Sequence, residues 1–151
     1  MTANTIRNAL GVLQDEPDND QAWSDLRAAL GYAPAAGEEG TVATSELALD
    51  ELAQLLEAAR QAHEMRREYE AVAQLLAIEA VVAKTFGGDR EAELVAELAS
   101  IRDDILHDDA GALAAYRQLL TLRPNDATAE EAIERSEAKR AKWKEIGRAH
   151  V

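Results

Sequence analysis

The sequence predicts an all-α protein built from stacked antiparallel helical hairpins, and three observations carry that reading. Apolar residues make up 47% of the 151-residue chain but aromatics only 4%, and the apolar share is mostly Ala and Leu, which favour helix over strand. Apolar residues recur at three- and four-residue spacing in seven segments, and no segment alternates with period two, so no sheet is expected. Short acidic joints also recur: Pro17-Asp18-Asn19-Asp20 and Pro124-Asn125-Asp126 each follow one helix and precede another.

The first helix is expected from about Thr5 to Gln14, with Ile6, Leu10 and Leu13 on one face. Pro17 cannot continue it, and Asp20 is expected to cap the second helix, Gln21 to Leu30, which carries Trp23, Leu26 and Leu30. Gly31 to Thr44 holds Gly31, Pro34, Gly37 and Gly40 and no apolar period, and reads as a hinge linker. Ser45 is expected to cap the third helix, which runs to about Arg66 with Leu49, Leu52, Leu56 and Ala59 as its stripe. The fourth, Glu68 to Lys84, carries Val72, Leu75, Leu76, Ile78 and Val82. Gly87 or Gly88 is expected to terminate that segment, with Asp89 as the next cap. The fifth helix, Arg90 to Leu106, aligns Leu94, Leu98, Ile101 and Ile105; the sixth, Ala110 to Leu122, aligns Leu113, Tyr116, Leu119 and Leu120. The seventh starts at Ala127 and has few large apolar residues, Ile133 and Trp143. These counts predict three packed pairs and an unpaired last helix. Trp23, Leu56, Leu75, Leu98, Leu113 and Tyr116 are expected in the core.

Repetition extends beyond the joints. Glu68 to Leu76 can be laid over Asp109 to Arg117, which places Tyr69, Ala110 and Trp143 at equivalent helix starts, with a third copy beginning at Lys142-Trp143-Lys144. The stretch from Asp108 to Asp126 resembles the second helix and exit turn of a tetratricopeptide repeat. Ala112 stands at the small position of close helix approach, Tyr116 at the aromatic position and Pro124 at the turn. Gln21-Ala22-Trp23, with Leu26 following, resembles a first-helix start; Ala99-Ser100 departs from the family pattern, where Leu-Gly is expected. The resemblance implies a tetratricopeptide-like α-solenoid fragment and a protein-binding role. It divides the chain into an N-terminal hairpin (1–31), a linker (32–44), helical repeats (45–144) and a tail (145–151). The tail, Glu145 to Val151, resembles the in-frame translation of a common sequencing adapter. The natural sequence is therefore expected to depart from this one near Lys144 and to continue with further repeats or another domain.

Composition excludes several function classes. A formal net charge of −13 opposes binding to nucleic acid or to an anionic membrane surface, both of which need clustered cations. Without cysteine there is no disulfide and no thiolate metal site. No apolar run reaches the roughly 18 residues of a membrane span; the longest, Ala71 to Ala83, is interrupted by Gln74 and Glu79. No signal peptide is visible, so a cytoplasmic setting is expected.

Candidate chemistry is sparse. Asp104 and His107 are expected three residues apart on one helical face, but a di-iron bundle needs two such pairs and two further Glu. Asp15 to Asp20 lacks the central Gly and terminal Glu of a calcium loop. No Lys-Ser or Lys-Thr follows Gly87-Gly88, as a phosphate loop requires, and His63 has no adjacent nucleophile. The chain is therefore expected to be no enzyme and to hold no cofactor. The remaining surface candidate is a polar stripe on the fifth helix, Glu93, Glu97, Ser100, Asp104 and His107, which recur at spacings of four, three, four and three. Such a stripe suits a basic protein or peptide partner, although an ordinary solvated helix face reads the same way. The function expected is a protein–protein interaction scaffold, with a regulatory or accessory segment of an enzyme as the alternative.

Overall fold

The computed structural model describes residues 2–30 and 49–149. The expected linker and the Ser45 cap lie outside those residues. Among the described residues there are seven α-helices, one π-helical turn and no strand: α1 (Thr2–Asp15), α2 (Asp20–Ala29), α3 (Leu49–Met65), α4 (Tyr69–Phe86), α5 (Arg90–Ser100), the π-turn (Ile101–Ile105), α6 (Asp109–Leu122) and α7 (Ala127–Ala149). The chain forms two compact units, residues 1–94 and 95–151.

In the first unit, α1 packs on α2, α3 on α4, and α1 also meets α3. One apolar cluster runs through all four helices, including Ile6, Leu10, Leu13, Trp23, Leu26, Leu52, Leu56, Leu75 and Ile78. Each large side chain buried there contributes about 1.5–3 kcal/mol relative to exposure. Polar contacts bridge the helices as well: Gln14 Nε2 donates to the Ala59 carbonyl at 3.2 Å, Arg66 donates to Gln14 Oε1 at 2.8 Å, and Arg27 donates to Gln74 Oε1 at 2.7 Å. Helix α4 is buried on every side from Ala71 to Ala83 apart from Gln74, as expected of a helix apolar all round. The apolar run read along the sequence is thus the innermost helix of this unit.

In the second unit, α6 packs on the π-turn and on α7. The final helix is therefore not unpaired: α7 lies on α6, seating Ala129 and Ala132. Nor does a new helix begin at Lys142-Trp143, since α7 is continuous to Ala149. All six residues expected in the core, Trp23, Leu56, Leu75, Leu98, Leu113 and Tyr116, are buried.

The joints repeat in atomic detail. The cap of α2 is Asn19, not Asp20: its side chain accepts from Ala22 N at 3.0 Å, and its own N–H donates to the Glu16 carbonyl. Asp126 does the same for α7, accepting from Ala129 N at 2.9 Å while its N–H donates to the Arg123 carbonyl. Each cap stands two residues after its proline, so the first joint matches the last only when Asn19 is the cap. A second joint type recurs at Arg67-Glu68 and His107-Asp108. Arg67 (φ 59°) and His107 (φ 53°) are left-handed, and the residue after each is the N-cap of the next helix. Asp108 accepts from Gly111 N at 3.0 Å, and its carboxylate occupies the space a Cβ at Gly111 would need.

These joints set the repeat register at 40 residues, Arg67 onto His107 and Glu68 onto Asp108, one residue off the overlay of Glu68 on Asp109. In that register each buried residue of α6, Ala112, Leu113, Ala115, Tyr116 and Leu119, falls on a buried residue of α4, Val72, Ala73, Leu75, Leu76 and Glu79, while α4 is buried at seven further positions.

Candidate protein-binding surface

The polar stripe is exposed, but not as one helical face. Glu93 belongs to the first unit, where Arg90 Nη1 donates to its Oε2 at 3.4 Å. Glu97, Ser100, Asp104 and His107 belong to the second unit and are all exposed. The stripe assumes 3.6 residues per turn through Leu106, whereas Leu106 N donates to the Ile101 carbonyl at 2.9 Å, a π-type bond. The wider turn advances everything after Ile101 by about one position, roughly 100° of helix rotation. Ile105, expected in line with Leu94, Leu98 and Ile101, is therefore turned outward and 44% exposed while those three stay buried. His107 leaves the helix altogether. It is the left-handed residue that ends the segment, so Asp104 and His107 do not share a helical face as the spacing predicted. Glu97, Ser100 and Asp104 remain neighbours: Glu97 stands one turn before Ser100 on α5, and Ser100 Oγ donates to Asp104 Oδ2 at 3.2 Å.

The densest electrostatics lie elsewhere, at residues the sequence reading did not select. Arg60 and Glu79 are each about 5% exposed, and Arg60 Nε donates to Glu79 Oε2 at 2.5 Å. Arg60 also donates to Glu64 at 2.9 Å. Burial pushes the Glu79 carboxyl up to about 7, against the pull of the Arg60 guanidinium. For Arg60 the desolvation cost is outweighed by its bonds to Glu79 and Glu64, so its proton is held more tightly than usual.

His63 is fully buried and its Nδ1 lies 2.7 Å from Glu68 Oε1. The hydrogen bond from His63 holds the Glu68 carboxyl below its ordinary value, and Arg66 adds to this. A carboxylate can only accept, so Nδ1 carries a proton; Nε2 is buried and without a hydrogen-bond partner. The pair has the arrangement of a base and its orienting acid, with the imidazole out of contact with solvent. Its role is to tie the end of α3 to the start of α4.

In the second unit a cleft of about 120 Å³ lies between α6, α7 and the π-turn, lined by groups that include Asp103, Tyr116, Arg135 and Lys139. Its charges are neutralised across it, Arg135 to Asp103 and Lys139 to Asp109, both at 3.2 Å. Tyr116 Oη donates to Asp103 Oδ2 at 3.3 Å, and burial, reinforced by Asp103, raises the phenol above its usual value. Among the described residues no group of three or more His, Asp or Glu is arranged to hold a metal ion, and no helix is long and apolar enough to cross a membrane. No protein-family model, curated protein or solved structure matches the chain.

Proposed function

We propose that the chain is a protein–protein interaction module of tetratricopeptide-like stacked hairpins, not an enzyme, working in the cytoplasm as part of a larger scaffold. The observation that carries this reading is the repetition of structure: two proline joints with the same capping bonds, and two left-handed joints that set α4 and α6 in one burial register. Units repeated in this way bury their faces against neighbours and leave an extended surface for partners. The 40-residue register is longer than the 34 residues of a tetratricopeptide repeat, so the array is irregular.

The partner class is a basic peptide or protein segment, received by Glu97 and Asp104 of the second unit. Fluorescence anisotropy with a labelled lysine-rich octapeptide and a glutamate-rich control tests it on the intact chain. The basic peptide binds and the acidic one does not, and Glu97→Lys/Asp104→Lys abolishes the binding. Equal behaviour of both peptides would remove the surface from consideration.

A further inference from the structure

The end of α7 is an uncovered face whose charge is opposite to that of the rest of the chain. Helix α7 runs back along α6, and Lys139 reaches Asp109, the first residue of α6, at 3.2 Å. Beyond Lys139 there is no more α6 to lie on. The last ten residues of α7, about 15 Å of helix at ~1.5 Å per residue, extend past it. The stripe that faces α6 passes through Ala129, Ala132, Ser136 and Lys139, at spacings of three, four and three, and its next position is Trp143. Ala129 and Ala132 are buried, whereas Trp143 is 64% exposed. The largest side chain on the core-facing line of α7 is therefore the one without cover.

Charge identifies what covers it. Residues 139–144 carry four cations, Lys139, Arg140, Lys142 and Lys144, and no acid, while the remaining chain carries 12 basic against 29 acidic side chains. All four cations are exposed. A tryptophan ringed by lysines and an arginine is the composition of an interface anchor with a steering rim, and its complement is acidic. Such a complement is present on this molecule, at the exposed Glu97 and Asp104.

We infer that the α7 overhang, Trp143 with Arg140, Lys142 and Lys144, docks on the acidic Glu97–Asp104 surface of a second copy of this chain. The inference rests on the reading of that surface as a receptor for basic segments, and it names the segment. Donor and receptor surfaces are different patches, so the contact is head-to-tail: successive copies add in a chain or close into a ring.

Sedimentation velocity on the intact protein, up to roughly 100 μM, tests it. The wild type shows concentration-dependent association beyond a dimer. Trp143→Ala weakens it by roughly tenfold or more, as expected of a central aromatic anchor. The decisive arm is a charge swap between two variants. Lys142→Glu/Lys144→Glu destroys the donor and Glu97→Lys/Asp104→Lys destroys the receptor, so each variant alone is impaired. Mixed, the intact receptor of the first variant meets the intact overhang of the second, and the reversed receptor of the second meets the reversed overhang of the first; both contacts are attractive. The mixture therefore recovers association that neither variant shows alone, through contacts that alternate between the two variants. All these substitutions are at exposed positions, and circular dichroism confirms that each variant folds.

A wild type that remains monomeric overturns the inference, as does a mixture that recovers nothing. If that monomer shifts when a DNA duplex is added, the overhang is a nucleic-acid contact instead. A monomer that still binds the lysine-rich octapeptide leaves the receptor surface standing and removes only the second copy; one that binds neither removes both.

Discussion

Helix α4 buries 12 of its 18 residues, whereas α7, with 23, fully buries only Ala129 and Ala132 among those whose side chains are described. Each is tied to its surroundings by ion pairs, yet the pairs do different work. Glu79 meets Arg60 out of solvent, where both ions have lost hydration and each needs the other. Lys139 meets Asp109 with both side chains more than half exposed, where water screens the attraction and long side chains lose entropy in making it. The same bond type is thus a condition of folding in one helix and a minor adjustment in the other. The difference follows from what surrounds it.

Breaking the buried pair gives the largest effect. Arg60→Ala leaves Glu79 without its cation and is expected to cost ~3–5 kcal/mol at pH 8. At pH 5 the cost is smaller, because the stranded carboxyl takes up a proton and becomes neutral. Urea melts at the two pH values measure both. Equal losses at pH 5 and pH 8 would mean that Arg60 acts through packing and not through charge.

The pH dependence of Glu79 sharpens the point. Below pH 4.5 the carboxyl is protonated in folded and unfolded chains alike. Between 4.5 and about 7 the unfolded chain releases the proton while the folded chain keeps it, so stability falls as pH rises. At ~1.4 kcal/mol per pH unit the loss is bounded at ~3.5 kcal/mol. Glu79→Gln cannot ionise, and its melts referenced to wild type isolate this slope from the other carboxylates. The wild type should lose ground to the variant across that window; a flat difference would place the Glu79 titration outside it.

Tyr116 is the second unit's nearest equivalent of a buried polar anchor. Tyr116→Ala should cost ~3 kcal/mol, typical of aromatic truncation in a core. Tyr116→Phe keeps the ring and removes only a 3.3 Å bond to Asp103, so it should cost ~1 kcal/mol or less. A loss in Tyr116→Phe equal to that in Tyr116→Ala would give the hydroxyl, not the ring, the structural role.

The fold was legible wherever the physics is local. Leu52 and Leu56, or Leu113 and Tyr116, announce a buried face by spacing alone, and Pro17 and Pro124 announce the joints. Position within a joint was harder, because Asn19 and Asp20 are both good caps and only the three-dimensional turn chooses between them. The candidate surface was less legible for a different reason. A π-turn leaves no mark in residue spacing, so Ile105 and His107 were placed by a helical period that ends at Ile101. In sequence Glu79 only interrupts an apolar run, since its partner Arg60 lies 19 residues away on another helix. His63 has no nucleophile beside it in sequence, and its partner, Glu68, lies just beyond the turn that follows α3.

The smallest effects belong to α7. Lys139→Ala and Arg135→Ala should each change stability by less than ~1 kcal/mol, and less again at high salt. Because α7 gains so little from its bridges and buries so few side chains, it should open locally without unfolding α6. Hydrogen exchange reads this directly. Amides of Ala129 to Arg140 are expected to exchange well ahead of those of Leu113 to Leu120, with the region beyond Lys139 fastest, since it has no helix beneath it. If the overhang docks on a second copy, raising the protein concentration slows exchange around Trp143 and leaves Leu113 to Leu120 unchanged. Protection of α7 equal to that of α6 at low concentration would show that Ala129, Ala132 and the surface bridges suffice to hold it, and that the contrast with α4 overstates the weakness of exposed charge.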